Sequence, residues 1–308
     1  MMEKTALLFA GQGAQYIGMG RDIYEKYPFI RELYDKASVI LGYDLAKICF
    51  TENNLLNQTR YTQPAIMVTS YCLYRVLTHE AAVKPRVMAG FSLGEYTALC
   101  AADVFDFDTA VKLINYRAIA MDIAAAKSKG AMAAIIGYPR YNLESLCKRI
   151  GNVIIANYNY PGQLVVSGHY DSVESLCDAA KQDGARRTVM LNVSGAFHSP
   201  LMAEAADRME DYLGNFEFHN PSVAIIMNGD NEPLKTEKTS ELMVRQITSP
   251  IYFEDIIRKM IKDYDINQFI EIGPGNVLSG FVKKINNEKL TVSINKIVDC
   301  EIYTRRIQ

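Results

Sequence analysis

Gly90-Phe91-Ser92-Leu93-Gly94-Glu95 reads G-x-S-x-G. An apolar run, Pro85-Arg86-Val87-Met88-Ala89, precedes it, and a helical pattern, Tyr96-Thr97-Ala98-Leu99-Cys100-Ala101-Ala102, follows. This is the strand–turn–helix context in which a serine can stand out at a nucleophile elbow. Glycines on either side of Ser92 permit a sharp turn. The helix start supplies free backbone N–H groups and a favourable dipole for a developing anion. The plainer reading is a serine capping a helix; the flanking strand and helix favour the catalytic one.

Outward from this segment, short apolar runs alternate with helical patterns, which argues for an α/β fold. Strands are expected at 5–10, 87–90, 223–228, 268–272 and 290–294. Helices are expected at 24–41, 65–77, 92–102, 108–126, 237–247, 253–262 and 277–286. The middle reads differently. Strands at 131–137, 153–158, 163–168 and 187–193 enclose helices at 141–150 and 172–183, with a Pro161-Gly162 turn. That βαββαβ order is the order of a ferredoxin-like unit. The expected organisation is a large α/β domain, 1–128 and 195–308, resembling an α/β hydrolase with a parallel sheet core. A small ferredoxin-like subdomain, 129–194, is inserted in it. A cleft between the two is a natural substrate site.

Composition narrows the function classes. The chain has 308 residues, 49% hydrophobic and 22% charged, with a net charge of -2, which leaves no electrostatic footprint for nucleic acid. No stretch approaches the roughly 18 apolar residues of a membrane span, and the start, Met1-Met2-Glu3-Lys4, does not read as a targeting segment. Cys49, Cys72, Cys100, Cys147, Cys177 and Cys300 are scattered without a CxxC pair. They point to a reducing, cytoplasmic setting and to no metal site.

A serine nucleophile needs a base, and there are four histidines. His79 lies near a helix end, His169 in a turn and His219 at a loop entry. His198 stands in Ser194-Gly195-Ala196-Phe197-His198-Ser199-Pro200, where the inserted unit returns to the large domain. A small-residue loop at a domain junction is where a cleft residue is expected. Arg117 is a second anomaly: it falls on the apolar stripe Val111, Ile114, Ala118, Met121, Ala125. A buried guanidinium needs an anionic partner. Either an internal carboxylate or an anionic group on a ligand satisfies it. Phe9-Ala10-Gly11-Gln12-Gly13-Ala14-Gln15 follows the first strand as a glycine-containing turn. It lacks both the P-loop ending and the dinucleotide spacing.

Together these segments resemble the malonyl-CoA:acyl carrier protein transacylases and the related acyltransferases of polyketide synthesis. The similarity rests on Gly11-Gln12-Gly13-Ala14-Gln15, Gln63-Pro64-Ala65, the Gly90–Tyr96 segment, Tyr116-Arg117-Ala118 with Met121, and Gly130-Ala131-Met132-Ala133-Ala134. It continues through Asn157 to Gln163, Ala196-Phe197-His198-Ser199 and Glu271-Ile272-Gly273-Pro274-Gly275. Their order and spacing run over nearly the whole chain. The resemblance implies a ping-pong transfer of malonyl from malonyl-CoA to the phosphopantetheine thiol of an acyl carrier protein. No cofactor takes part, and the chain is expected to be monomeric. Ser92 would be the nucleophile and His198 its base. Backbone N–H groups of Gln12 and Leu93 would form the oxyanion hole, and Arg117 would hold the malonyl carboxylate. A backbone carbonyl orients the histidine in this family, and by position it would be that of Tyr252. Gln63, Met121, Asn157, Asn159 and Phe197 would line the cleft, with the two asparagines near the pantetheine arm. The pair Ala196-Phe197 looks like the malonyl-selecting version of that segment.

The chain departs from the family at three places: Phe91 stands where His is common, Tyr252 where glutamine is often seen, and Asn276 where Lys is frequent. The competing readings are an acyl-thioester hydrolase and a scaffold that only docks carrier proteins. In an α/β hydrolase the histidine should come near the C-terminus, whereas 110 residues follow His198. Arg117 has little use in clearing plain acyl groups.

Overall fold

A computed structural model describes residues 4–307. Met1–Glu3 and Gln308, the ends of the expected large domain, lie outside the described residues. Two sheets organise the chain. The first is parallel and contains β1 (Thr5–Phe9), β2 (Val87–Gly90), β7 (Ala224–Ile225), β8 (Gln268–Ile272) and β9 (Leu290–Ile294), in the order β7-β2-β1-β8-β9. The second is antiparallel and contains β3 (Gly130–Ile136), β4 (Val153–Tyr160), β5 (Gln163–His169) and β6 (Arg187–Met190), in the order β4-β5-β3-β6. β1, β2 and β8 are buried along their whole length, as helices on both faces of a parallel sheet require.

The antiparallel sheet has one face for each partner. Along β3, Ala131, Ala133 and Ile135 pack with Leu143, Leu146, Val173 and Leu176 of the two helices that follow β3 and β5. The alternate residues, Met132 and Ala134, join the main core. A period of two therefore turns one face to the sheet's own helices and the other to the large body. The antiparallel sheet also meets the large body through main chain, at the segment between the helices Thr239–Thr248 and Phe253–Asp263. The Ile251 amide donates to Ala156, and the Tyr158 amide donates to Ile251, at 2.8 Å each.

Most expected elements are present, and the differences have local causes. The expected helix at 24–41 is two, Arg21–Lys26 and Pro28–Leu41, because Tyr27 before Pro28 is held extended (φ -108, ψ 115). The expected strand at 223–228 shortens to Ala224–Ile225, since the chain beyond it turns toward the elbow. Helices Leu45–Phe50, Ala203–Leu213 and Ile297–Ile307 are additional to those expected.

Candidate active site

Ser92 itself, rather than its flanking glycines, carries the unusual backbone angle. Its φ is +53, a left-handed conformation that costs a non-glycine residue about 1–3 kcal/mol. The two glycines are needed for close approach. A Cβ on Gly90 would lie 1.9 Å from the Gly94 carbonyl carbon, and one on Gly94 would lie 2.2 Å from the Phe9 oxygen. The helix Gly94–Ala101 thus starts pressed against β1 and β2. Asn228 spans the turn: its Oδ1 accepts from the Ser92 amide at 2.9 Å, and its Nδ2 donates to the Gly90 carbonyl at 2.8 Å. Among the described residues the Leu93 and Gln12 amides have no protein acceptor.

Ser92 Oγ lies 2.8 Å from His198 Nε2. His198 also has positive φ, +57. Its Nδ1 lies 2.8 Å from the Gln246 carbonyl oxygen. A carbonyl can only accept, so Nδ1 carries the proton and Nε2 is free to receive one from Ser92. Burial and the nearby Arg117 charge push the His198 pKa down to about 4, with the Gln246 carbonyl acting the other way. The imidazole is therefore neutral at pH 7.

The orienting carbonyl belongs to Gln246, not to Tyr252 as the family resemblance implies by position. Tyr252 precedes the helix Phe253–Asp263, and its carbonyl accepts from the Ile256 amide at 3.0 Å. Its ring stacks on Tyr158 with 4.6 Å between centroids. Gln246 lies in the last turn of the helix Thr239–Thr248. The residue four positions on, which would normally donate to its carbonyl, is Pro250, which has no N–H. The carbonyl left over takes the histidine.

Arg117 is 1% exposed and lines the cavity beside the dyad. Its Nη1 donates to Gln63 Oε1 at 2.5 Å, and Nη2 donates to Gln246 Oε1 at 2.8 Å and to Ser92 Oγ at 3.2 Å. Its Nε has no partner among the described residues. The guanidinium carbon sits 5.5 Å from the Tyr96 ring centroid. No described carboxylate pairs with it directly, since every oxygen it touches is neutral. Burial lowers its pKa. Behind it lies Glu95, fully buried, whose Oε1 accepts from Gln246 Nε2 at 2.7 Å and whose Oε2 accepts from the Asn228 amide at 2.5 Å. Burial raises the Glu95 carboxyl to about 7, against these donors and Arg117.

The cavity has a volume of about 780 Å³ and opens between the two sheets. Gln12, Gln63, Met121, Asn157, Asn159 and Phe197 all line it, as expected. Gln63 also donates through Nε2 to Met121 Sδ at 3.6 Å. Asn159 Nδ2 donates to Gln163 Oε1 at 3.1 Å, and its Oδ1 is buried without a partner among the described residues. Phe91 packs edge-on against Phe253 and Phe281, so an aromatic cluster occupies the position beside Ser92. No group of three or more potential metal-ligating side chains occurs among the described residues. Glu95, Asn228 and Gln246 join the site without having been expected there from sequence. Gln246 carries a signal, since it falls on the apolar stripe of its helix with Leu242, Met243 and Ile247.

The acyl transferase domain family matches residues 6–301. Malonyl CoA-acyl carrier protein transacylase of Bacillus subtilis (strain 168) is 39% identical over 301 residues, which covers 96% of this chain and 94% of that protein. MCAT from Streptococcus pneumoniae is 40% identical with a TM-score of 0.94, covering 98% of this chain and all of that one. A malonyl-transacylase solved in complex with its type II PKS acyl-carrier protein is 34% identical with a TM-score of 0.95, covering 99% of this chain. With that similarity over nearly its full length, the chain belongs to the malonyl CoA-acyl carrier protein transacylase family.

Proposed function

We propose that this chain moves a malonyl group from malonyl-CoA to the phosphopantetheine thiol of an acyl carrier protein, through a malonyl ester on Ser92. The observation that carries the reading is Arg117. It is a buried cation on the cavity wall, 3.2 Å from the nucleophile oxygen, with only neutral oxygens for company. A carboxylate one methylene away from a thioester carbonyl fits such a group, because a bidentate guanidinium–carboxylate pair satisfies both ions at once.

The steps follow from the geometry. His198 Nε2 takes the Ser92 proton as Oγ attacks the thioester carbonyl. The tetrahedral oxyanion is received by the Leu93 and Gln12 amides, which are fixed before the reaction and need no reorganisation. The carbon–sulfur bond breaks, and the imidazolium returns its proton to the departing CoA sulfur. The carrier-protein thiol then enters the same site, gives its proton to His198 and attacks the ester, and Ser92 recovers the proton. The unpartnered Asn159 Oδ1 supports a place for an amide N–H of the pantetheine arm.

The residue span 129–194 is read as an inserted subdomain with its own hydrophobic cluster, a reading supported by its separate core. The β4-β5-β3-β6 order and the βαββαβ sequence support the ferredoxin-like description. The strand–elbow–helix unit on a parallel sheet supports the hydrolase-like one. We read the chain as a cytoplasmic monomer. Six free, buried cysteines suit a reducing compartment, and no helix among the described residues is long and apolar enough to cross a membrane.

Intact-mass measurement after mixing with malonyl-CoA tests the function. A stable malonyl adduct, lost in Ser92→Ala and discharged by holo carrier protein, is the expected result. Rapid release of malonate without acceptor would make the chain a hydrolase instead.

A further inference from the structure

Glu95 is a fully buried carboxyl that neither lines the cavity nor pairs with a cation, so the mechanism above leaves it without a task. The direction of its hydrogen bonds supplies one. The Asn228 backbone amide can only donate, and it donates to Glu95 Oε2. Ionised above about pH 7, Glu95 accepts on both oxygens, so Oε1 takes a donor from its other neighbour, the Gln246 side chain. That forces the Gln246 NH₂ toward Glu95 and toward the Ser92 carbonyl, to which it also donates at 3.0 Å. Gln246 Oε1 is left facing Arg117 Nη2. The Ser92 carbonyl, which can only accept, and the Arg117 guanidinium, which can only donate, agree with the orientation that Glu95 imposes.

We propose that Glu95 is a positioning residue for the carboxylate-binding site: by accepting on both oxygens it fixes which way the Gln246 amide points, and so holds Arg117 at Ser92. This rests on the malonyl reading of Arg117. A glutamine at position 95 has the same shape but the wrong polarity. Its oxygen must meet the Asn228 amide, so its NH₂ meets Gln246. Two donors then face each other, which drives the Gln246 side chain from its place and takes its oxygen from Arg117. The dyad is largely spared, because His198 is oriented by the Gln246 main chain.

The test compares wild type with Glu95→Gln for acylation by malonyl-CoA and by acetyl-CoA, and for labelling of Ser92 by an uncharged fluorophosphonate. Malonyl kcat/KM should fall about 10- to 100-fold, the scale of a mispaired buried polar group, with acetyl transfer and labelling kept within about 3-fold. In a Gln246→Met background, which keeps the orienting carbonyl, Glu95→Gln should change the malonyl-to-acetyl ratio no further. Equal losses on both thioesters, an unchanged ratio, or ratio losses that add in the double variant would overturn the proposal. If Glu95→Gln does not fold, Gln246→Met alone must lower the ratio, and an unchanged ratio overturns the idea. A wild-type enzyme that forms no malonyl adduct would instead overturn the functional reading.

Discussion

The two walls of the cleft are built on opposite plans. On the wall formed by the parallel-sheet body, Ser92, His198, Arg117, Gln246, Glu95 and Asn228 form one continuous hydrogen-bonded network. On the antiparallel-sheet wall, Met132, Ala134 and Val165 are apolar. Asn159 keeps an acceptor that no described residue uses. The first wall holds reacting groups in place in advance of substrate, and its two left-handed residues, Ser92 and His198, persist because that network over-determines them. The second wall leaves hydrogen-bonding capacity for a ligand. Changes in the body should therefore act on kcat, and changes in the small sheet on KM.

The largest effect that would break this contrast lies at the dyad. His198→Ala should slow acylation by about 10² to 10⁴, the scale of a general base, measured by stopped-flow release of CoA. The same residue sets the acid limb of the wild-type profile. With its pKa lowered to about 4, His198 stays neutral as pH falls past the ordinary 6.5. Acetyl kcat/KM should hold down to about pH 4 and drop below it. Stability carries the matching sign: the unfolded histidine takes a proton near 6.5, the folded one only near 4, so His198's contribution is full above 6.5 and is lost as pH falls through 4. An acid limb at 6.5 would mean an exposed, unheld imidazole.

An intermediate effect is expected at Pro250, which touches no substrate. Pro250→Ala restores an N–H four residues after Gln246 and lets the helix continue, so the Gln246 carbonyl gains a competitor for His198 Nδ1. A fall in kcat of about 2- to 10-fold, the worth of one ordinary hydrogen bond, should appear on both thioesters with KM unchanged. Unchanged turnover would show that the proline is not what frees the carbonyl. The smallest effect belongs to the other wall. Asn159→Ala should raise KM for malonyl-CoA and acetyl-CoA alike by about 2- to 10-fold and leave kcat alone. A drop in kcat there would place chemistry on the small sheet and erase the distinction.

The same contrast explains which parts of the site are legible in the amino-acid sequence. Ser92 and Arg117 each break a local rule, one as a glycine-flanked serine between strand and helix, the other as a cation on an apolar stripe. Anomalies of that kind are visible in a single window. Gln246 breaks the same rule more quietly, as an amide among Leu242, Met243 and Ile247, and its decisive feature is a proline four residues away. Position along the chain points instead to the Tyr252 carbonyl, six residues further on, where a new helix already uses it. Asn228 leaves no signal. It follows a two-residue strand and meets Ser92, 136 positions away, only because β7 pairs with β2. Strands of both sheets and the βαββαβ order of the middle segment are legible from the apolar pattern. The pairing of His198 with Ser92 needs the family resemblance, since nothing within either loop points to the other.

On the proposed mechanism a buried arginine on the body wall selects a carboxylate-bearing acyl group. The most direct test is kcat/KM for malonyl-CoA and acetyl-CoA in wild type and Arg117→Ala. Losing a charge-assisted bond of about 1.5–3 kcal/mol should cut malonyl transfer about 10- to 100-fold or more. Acetyl transfer should stay level or improve, because the unpaired cation that penalised it is gone. Equal losses on both thioesters would reduce Arg117 to a support of the fold and contradict the account.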